Sequence, residues 1–506
     1  MRIELLDTTL RDGEQTSGVS FTPEEKLNIA RMLLSELHVP RIEIASARVS
    51  SGEFESVKKV CEWAKRAGYL NAIEILGFVD NGQSLKWIND VGGKVINLLA
   101  KGSQKHCEAQ LKKTKEQHVQ DITREVENAT KMGLEVNLYL EDWSNGIKNS
   151  PEYVFYMMDN LQKLPIKRFL LPDTLGVFNT NDVYHYGKEM IQRYPGIHFD
   201  FHGHNDYDLA TANSYTAALV GFKGIHVTIN GLGERAGNTP LSSCVAVIHD
   251  MLKAETGIDE KKINKCSHLV ESFSGIPVPQ NKPIIGESVF TQCAGVHADG
   301  DKKDNLYFND LLPERFGRER EYALGKTSGK ANIKNNLDAL GIELSEDNIR
   351  KVTERIIQLG DKKEIVTQSD LPYIVADVIK HDDTLSKVHI INYAMNLSLG
   401  LRPTATIKMS INGKEYEQTA VGDGQYDAFV KAVKRIYNDQ LNRKFPMLTN
   451  YSVKIPPGGR TDALVQTTIS WEYKGHYLKT HGLDPDQIEA AVQATLKMLN
   501  IIETLN

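Results

Sequence analysis

The first 275 or so residues repeat one alternation of hydrophobic and polar positions eight times. Short runs of β-branched or apolar residues are separated by longer stretches in which apolar residues recur at helical spacing. Strands of four to eight residues that alternate with helices predict parallel βα units, and eight units over about 250 residues indicate a closed (β/α)8 TIM barrel. The alternative is an open doubly wound sheet, but no GxGxxG motif follows the first strand. The predicted strands are Arg2–Asp7, Arg41–Ser46, Ala72–Leu76, Lys94–Leu99, Glu135–Leu140, Arg168–Leu171, His198–His202 and Ile225–Asn230.

The pattern changes twice beyond the predicted barrel. Prolines 277, 279 and 283 predict an extended linker, and residues from about 286 to 385 are mostly helical in pattern. From about 390 onward, the sequence predicts a βββα unit that occurs twice. The evidence is segments of alternating apolar and polar residues, a hairpin turn at Asn412-Gly413 and amphipathic helical stretches. The sequence therefore predicts three parts: a barrel over 1–275, a linker with helical subdomains over 276–388, and an α+β domain over 389–506.

Polar side chains are concentrated where the predicted barrel strands end. The active site of a TIM barrel lies at the carboxyl ends of its strands, so these side chains are expected to share one rim. They follow strands one, five, six, seven and eight, and they are Arg11, Asp12, Glu14, Tyr139, Glu141, Asp173, Thr174, His202–Asp206 and Asn230–Asn238.

The segment His202-Gly203-His204 is the most specific of these features. Residues i and i+2 of a strand point to the same face, so both imidazoles can reach one ion, and Asp12 from strand one would add a carboxylate. Two nitrogens and a carboxylate on one side leave positions open for substrate, as a catalytic divalent metal requires. The plain alternative is that the histidines only form hydrogen bonds at a strand end.

Each of the other candidates also has a structural alternative. Arg11 beside Asp12 could be an ordinary ion pair, but next to a metal it would also hold a carboxylate and stabilise an alkoxide. Glu141 is either a solvated strand-end carboxylate or, beside Tyr139, a candidate acid/base. Leu76 and Leu99 are either ordinary core or an apolar wall that keeps the pocket small.

Composition and charge exclude several classes of protein. The 506-residue chain suits two or three domains, and its net charge of −6 argues against nucleic-acid or membrane-surface partners, which need a basic patch. There is no apolar run of the roughly 18 residues that span a bilayer, and no signal-peptide pattern at the N-terminus. The five cysteines form no CxxC pair, which fits a reducing compartment. We therefore expect a cytoplasmic protein.

Long segments of the chain resemble a known family. They are LLDTTLRDGEQTSGVSFTPEEKLNIA, HGHNDYDLATANS and NGLGERAGNTPL. They resemble the Claisen-condensing branch of the DRE-type metal-dependent TIM-barrel enzymes, which contains isopropylmalate, homocitrate and citramalate synthases. Residues 422–428 and 459–463 resemble the leucine-type allosteric regulatory domain of this family, although its usual effector motif is altered at Gln425-Tyr426. The similarity thus covers the whole chain.

The resemblance implies a metal site and a co-substrate. Asp12, His202, His204 and Asn238 match the family's metal ligands, so a divalent ion (Mn²⁺, Mg²⁺ or Zn²⁺) is expected there. Acetyl-CoA is expected as the co-substrate.

The resemblance also implies catalytic residues. Arg11 and Thr174 would contact the carboxylate and oxygen of a 2-oxo acid, and Glu141 would help to remove a proton from the acetyl methyl group. His297 and Tyr307 match residues of the linker subdomain that reach into a neighbouring subunit's site. At least a homodimer is therefore expected.

The identity of the 2-oxo acid depends on three further positions. Leu76, Leu99 and Tyr139 match the two leucines and the tyrosine that leave room only for the methyl group of pyruvate in the citramalate-forming members. The resemblance implies condensation of acetyl-CoA, pyruvate and water to (R)-citramalate and CoA. This reaction feeds isoleucine biosynthesis, so a branched-chain amino acid, isoleucine foremost, is expected as an allosteric effector in the region 420–465. The alternative is 2-isopropylmalate synthesis from 2-oxoisovalerate, for leucine biosynthesis.

Two hypotheses from other classes compete. A metal-dependent hydrolase of the amidohydrolase type also uses an HxH motif on a barrel, but after strand one rather than strand seven. A non-catalytic amino-acid sensor would account for the C-terminal domain, but it would not explain the polar residues at the rim of the barrel.

Overall fold

The computed structural model describes residues 2–292, 309–361, 387–454, 465–474, 476–484 and 486–505, with a few single residues between 366 and 378. The described residues form two compact units. The first contains residues 2–290 and 309–320, and the second contains residues 291–292 and those from 321 onward.

The first unit is a closed barrel of eight parallel strands, as the sequence predicts. The strands pair in chain order, and the first closes the barrel by pairing with the eighth in register from Glu4 with Gly224 to Asp7 with Val227. The strands are β1 (Glu4–Asp7), β2 (Arg41–Ser46), β3 (Ile73–Phe78), β4 (Val95–Lys101), β5 (Glu135–Glu141), β6 (Ile166–Asp173), β7 (Phe199–Gly203) and β8 (Gly224–Val227).

Helices surround the barrel, and local sequence fixes where several of them begin. Thr22 and Thr114 each cap a helix through a reciprocal capping box, with Glu25 and Gln117 as the third residues of their helices. The helices are α1 (Pro23–Arg31), α2 (Ser51–Ala67), α3 (Gln83–Asp90), α4 (Gln104–Ala109), α5 (Lys115–Lys131), α6 (Trp143–Asn149), α7 (Pro151–Leu161), α8 (Thr180–Arg193), α9 (Ala210–Val220), α10 (Leu241–Asp250) and α11 (Ile263–Ser274).

Several barrel strands extend further than predicted, and in β3 and β4 the extension adds side chains at the carboxyl rim. β3 continues past Leu76 to Phe78, and β4 continues past Leu99 to Lys101. Since residues two apart share a face, Phe78 extends the face of Leu76 and Lys101 extends that of Leu99. β8, by contrast, ends at Val227, because the chain turns at Ile229–Gly231 with Asn230 in the left-handed region (φ 58°).

The second unit begins with short elements and a small helical core. β9 (Thr291–Gln292) pairs in parallel with β10 (Glu321–Tyr322). α12 (Lys330–Ala339) and α13 (Glu346–Asp361) bury apolar side chains against each other, among them Ile333 and Val352.

The remainder of this unit is the repeated βββα pattern that the sequence predicts. Asn412 and Gly413 both have positive φ, as a two-residue hairpin turn requires. None of the helices in the described part of the chain is long and apolar enough to cross a bilayer. The first copy is β11 (Val388–Asn396), β12 (Thr404–Ile411), β13 (Lys414–Val421) and α14 (Gln425–Arg435), and the second is β14 (Met447–Lys454), β15 (Val465–Tyr473), β16 (His476–Asp484) and α15 (Gln487–Leu505).

Asp7, at the end of β1, is a carboxyl group buried on the helix side of the barrel wall. Its Oδ1 accepts a hydrogen bond from the backbone N–H of Thr9 at 2.9 Å, while Oδ2 has no hydrogen-bond partner among the described residues. Burial raises the pKa of Asp7 to about 7, more than the bonds from Thr9 lower it. The native protein therefore retains a proton on this group up to near-neutral pH.

We predict that Asp7→Asn removes a pH-dependent part of the folding free energy. The folded-state pKa of Asp7 is raised, so its contribution to stability is present below the unfolded pKa and is lost as pH rises from about 4 to about 7. Wild type should therefore lose stability relative to Asp7→Asn over this range. Denaturant unfolding between pH 5 and pH 8 measures the difference, with the exposed substitution Asp90→Asn as control. A constant difference between wild type and Asp7→Asn would show that Asp7 does not hold its proton.

Candidate active site

The carboxyl ends of the barrel strands enclose a cavity of about 310 Å³. Ten of the residues that the sequence places at the polar rim or in the pocket wall line it: Arg11, Asp12, Leu76, Leu99, Tyr139, Glu141, Thr174, His202, His204 and Glu234. It is also lined by Gln15, Ser46, Phe78 and Pro172, which were not singled out from the sequence.

Asp12, His202 and His204 converge on one side of this cavity. Nε2 of His202 lies 3.1 Å from Oδ2 of Asp12 and 3.3 Å from Nε2 of His204, and Nε2 of His204 lies 3.9 Å from the same carboxylate oxygen. Gly203 is required between the histidines, since a Cβ there would lie 2.9 Å from the ring of Phe201. Two imidazoles and one carboxylate form a donor set suited to a divalent transition metal, and three such donors could hold one ion.

The protonation states of these side chains suit metal binding. Burial lowers the pKa of His204 to about 4 and also lowers that of His202, so both rings are neutral and can offer a lone pair. Burial alone would raise the pKa of Asp12, but Arg11 and the two histidines outweigh it and hold this pKa well below its usual range. The three ligands are therefore ready to bind a cation near neutral pH without first losing a proton.

Below the cavity, the barrel interior contains paired charges instead of the branched apolar side chains usual in such barrels. Arg41 donates to Glu74 at 2.6 Å and to Asp200 at 2.7 Å. All three side chains are buried. Removing one member of such a pair would leave an uncompensated buried charge, so these contacts fix strands β2, β3 and β7 relative to one another.

Arg11, Glu43 and Asp12 continue this arrangement up to the cavity. Nε of Arg11 donates to Glu43 at 2.5 Å, and Nη1 lies 3.2 Å from Oδ2 of Asp12. The interior column, defined as these three side chains with Arg41, Glu74 and Asp200, thus sets four carboxylates against two guanidinium groups. The excess of two negative charges equals the charge of one divalent cation.

Asn238, the fourth ligand implied by the resemblance, lies next to this group. Its backbone forms an isolated bridge with His204, and its side-chain Nδ2 donates to the carbonyl of Leu232 at 3.1 Å. Its Oδ1 has no hydrogen-bond partner among the described residues. The amide is therefore oriented with its oxygen available, which fits a further metal ligand.

Glu141 lies across the same cavity, at the end of β5. It forms an ion pair with Lys101 at the end of β4, a residue that the sequence analysis missed because β4 was predicted to end at Leu99. Thr174 Oγ1 accepts a hydrogen bond from the backbone N–H of Asp142 at 2.9 Å, which leaves the hydroxyl hydrogen to donate to a ligand. A carboxyl group paired with a lysine and a hydroxyl donor thus line one wall of the cavity.

Leu76, Leu99 and Tyr139 form the apolar wall. They pack with Leu170 from β6 into a small hydrophobic cluster separate from the main barrel core. The Tyr139 ring stands edge-on to the His202 ring, with 6.3 Å between centroids. Leu170 was not singled out from the sequence because a leucine within a buried strand has no local signature of a pocket.

Other candidates have a structural role or lie outside the described residues. Glu14 accepts from the N–H of Phe21 and pairs with the buried Lys26, so it anchors the loop after β1 instead of lining the cavity. Asp173 accepts from two backbone N–H groups at 2.9 and 3.0 Å. His297, Tyr307 and the segment 459–463 lie outside the described residues.

A closed (β/α)8 barrel with two histidines and a carboxylate at its carboxyl rim defines a class of metal-dependent enzymes. Comparison with known protein families supports this assignment to a class of metal-dependent barrel enzymes. The HMGL-like family model matches residues 2–270, the homocitrate synthase post-HMGL domain-like model matches residues 284–364, and the LeuA allosteric (dimerisation) domain model matches residues 365–503.

Curated relatives match almost the full length. An (R)-citramalate synthase of Methanocaldococcus jannaschii is 32% identical over 99% of this chain and 100% of its own. A 2-isopropylmalate synthase of the same organism is also 32% identical, over 99% of this chain and 95% of its own. Among solved structures, the HMG-CoA lyase of Bacillus subtilis covers 56% of this chain and 97% of its own at 19% identity and a TM-score of 0.48.

The chain therefore belongs to the HMGL-like family, in the branch of the isopropylmalate, homocitrate and citramalate synthases. Members of this branch are metal-dependent enzymes that condense acetyl-CoA with a second substrate, a transferase reaction. Family membership removes the amidohydrolase hypothesis and that of a non-catalytic sensor. It does not distinguish the two synthase activities, because relatives of both kinds match at the same identity.

We predict that the protein binds one Mn²⁺ per chain and that Asp12→Asn weakens this binding at least about 10-fold, because it removes a negatively charged ligand. Isothermal titration after EDTA dialysis measures the affinity, with Asp90→Asn as the control that should bind like wild type. The metal-free protein should retain its circular dichroism spectrum and cooperative unfolding, since the barrel forms without the ion. Wild-type affinity in Asp12→Asn would show that the ion binds elsewhere.

Proposed function

We propose that this enzyme condenses acetyl-CoA with pyruvate and water to give (R)-citramalate and CoA. The observation that carries the proposal is the wall of Leu76, Leu99 and Tyr139, packed with Leu170 on one side of a cavity of only about 310 Å³. The methyl group of pyruvate needs little space against such a wall. A longer 2-oxo acid would have to displace packed side chains.

The polar residues of the cavity suit the proposed binding of pyruvate. Arg11 keeps N–H groups beyond those that contact Glu43, Tyr139 and Asp12, and Thr174 offers its hydroxyl hydrogen, so both can donate to the carboxylate and 2-oxo oxygens. A divalent ion bound by Asp12, His202, His204 and Asn238 would supply Lewis-acid polarisation of the 2-oxo group.

Glu141 is the proposed base that takes a proton from the methyl group of acetyl-CoA. The resulting enolate carbon bonds to C2 of pyruvate, and the electron pair of the carbonyl moves to the C2 oxygen, where Arg11 stabilises the negative charge. Protonation of this oxygen and hydrolysis of the thioester release citramalate and CoA. We propose that the partner subunit's His297 and the partner subunit's Tyr307 assist this chemistry. That assignment requires a homodimer, which the match to the LeuA dimerisation domain supports.

The second candidate reaction is 2-isopropylmalate synthesis from 2-oxoisovalerate. It is favoured by the relatives of that activity, which match this chain as well as the citramalate synthases do. The chemistry would be the same, and only the room beside Leu76, Leu99 and Tyr139 would differ. A substrate comparison therefore separates the two reactions.

We predict that wild type prefers pyruvate to 2-oxoisovalerate and that Leu99→Ala relaxes this preference. Overpacking by the isopropyl group costs about 1–3 kcal/mol, or about 5- to 150-fold in kcat/KM, and truncating the wall recovers part of it. CoA release from acetyl-CoA with pyruvate, 2-oxobutyrate and 2-oxoisovalerate measures the ratio.

The matched control is Leu98→Ala on the same strand. Leu98 is buried in the main core on the opposite face of β4, so its truncation should lower stability without changing the substrate ratio. If wild type preferred 2-oxoisovalerate, the enzyme would be an isopropylmalate synthase and the proposed wall would be ordinary core.

We further propose the division of labour that the sequence predicts, with catalysis in residues 1–275, a linker in 276–388 and allosteric control in 389–506. Gly424 caps α14, and Asp427 in its first turn accepts from the N–H of Asp423 at 2.8 Å, so the loop before this helix has a defined shape. Such a loop and the match to the LeuA allosteric domain support an effector site within 420–465.

We predict that isoleucine inhibits CoA release more strongly than leucine or valine, because the proposed product leads to isoleucine. An enzyme truncated after residue 388 should lose this inhibition while it retains measurable activity. Stronger inhibition by leucine would indicate a different pathway, and inhibition that persists after truncation would place the effector site outside the C-terminal domain.

A further inference from the structure

His226 is a buried histidine next to the cavity, and neither the family motifs nor the proposed reaction uses it. It lies on β8, 1% exposed, between two polar partners, Asp200 on the neighbouring strand β7 and Tyr139 on β5. Its Nε2 is 3.2 Å from Oδ2 of Asp200, and its Nδ1 is 3.1 Å from the hydroxyl oxygen of Tyr139. It therefore links the interior column to the apolar wall.

The partners of His226 determine the direction of these hydrogen bonds. Asp200 also accepts from Nη1 of Arg41 at 2.7 Å, so it is an ionised carboxylate that can only accept. Nε2 of His226 must then carry the hydrogen. In the neutral ring, this leaves a lone pair on Nδ1, and the Tyr139 hydroxyl donates to it.

This direction fixes what Tyr139 presents to the cavity. Its hydroxyl hydrogen points into the barrel, and its oxygen accepts from Nη2 of Arg11 at 3.3 Å. The chain of donors runs from Arg11 through Tyr139 and His226 to Asp200. The Tyr139 hydroxyl thus accepts one hydrogen bond from Arg11 and donates one to His226. These two bonds hold the Tyr139 ring in one orientation against Leu76 and Leu99.

We propose that His226 is a positioning residue that sets the size limit of the 2-oxo acid pocket by fixing the Tyr139 hydroxyl, and with it Arg11. The proposal rests on the proposed function for the identity of the substrate. It differs from a purely structural role, because a histidine that only filled space in the barrel would affect stability without affecting the choice between 2-oxo acids.

Two substitutions distinguish the two hydrogen bonds of the His226 ring, the one to Asp200 and the one from Tyr139. In His226→Gln, the amide nitrogen reaches the position of Nε2 and can still donate to Asp200, but no acceptor remains at the position of Nδ1. In His226→Asn, the amide oxygen lies near the position of Nδ1 and can still accept from Tyr139. A third variant, Tyr139→Phe, retains the ring and removes only the hydroxyl.

The measured quantity is the ratio of kcat/KM for pyruvate to that for 2-oxobutyrate. We expect His226→Gln and Tyr139→Phe each to lower the ratio about 5-fold or more and to raise the KM for the 2-oxo acid. The double variant should show no further loss, because both changes remove the same bond. His226→Asn should retain a ratio closer to that of wild type. Tyr194→Phe, which loses a hydroxyl bonded to Asp159 at 2.9 Å, should leave the ratio unchanged.

The proposal is overturned if Tyr139→Phe leaves the ratio unchanged, and this result stands even if His226→Gln does not fold. Equal losses in His226→Asn and His226→Gln would also overturn it. Failure of the proposed function gives a different result: wild type would then prefer 2-oxoisovalerate. The same variants would still report positioning through a change in that preference.

Discussion

The structure depends on how charges are balanced inside a barrel that excludes water. Arg11, Arg41, Asp12, Glu43, Glu74 and Asp200 are all buried or nearly so, and the desolvation of each costs several kcal/mol unless it is paired. Each guanidinium contacts two carboxylates, so one negative charge is in excess beside Arg41 and one beside Arg11, where Asp12 faces His202 and His204. A divalent cation bound by Asp12 and the two histidines would offset this excess and would polarise the proposed substrate. The same electrostatic constraint thus links the unusual barrel interior to the proposed chemistry.

The interior column also explains why the site can be rigid although it is built from distant segments. Asn97 donates to Glu43 at 2.7 Å, and Asn137 donates to Asn97 at 2.9 Å, so strands β2, β4 and β5 are joined beneath the cavity. Above it, Arg235 in the glycine-rich loop after β8 donates to Asp206 and to the carbonyl of Thr174. The proposed catalytic side chains are held from below by the column and from the rim by this loop.

Much of the fold and part of the site could be predicted from the sequence. The hydrophobic residues of strands and helices recur at short, regular spacings, so the barrel could be predicted. The HxH motif involves only two residues of one strand, so the pair of histidines could be predicted as well. Contacts such as that of Tyr139 with His226 join residues that are far apart in sequence, and no local pattern encodes them. One signal was present: isolated polar residues within apolar strands, such as Glu43, Asn97 and His226, indicate a polar barrel interior. The roles of Glu14 and Lys101 could not be predicted, because they depend on the partners Lys26 and Glu141 and on where each strand ends.

In the proposed reaction, a metal ion held by Asp12, His202 and His204 binds the 2-oxo acid directly. The most direct test is the EPR spectrum of the Mn²⁺-loaded enzyme, titrated with pyruvate labelled with a magnetic oxygen isotope in its carboxylate and 2-oxo groups. Direct coordination predicts hyperfine broadening of the Mn²⁺ signal by the labelled compared with the unlabelled substrate. An unchanged spectrum at saturating labelled pyruvate, in an enzyme that still turns pyruvate over, would contradict direct coordination of the 2-oxo acid by the metal.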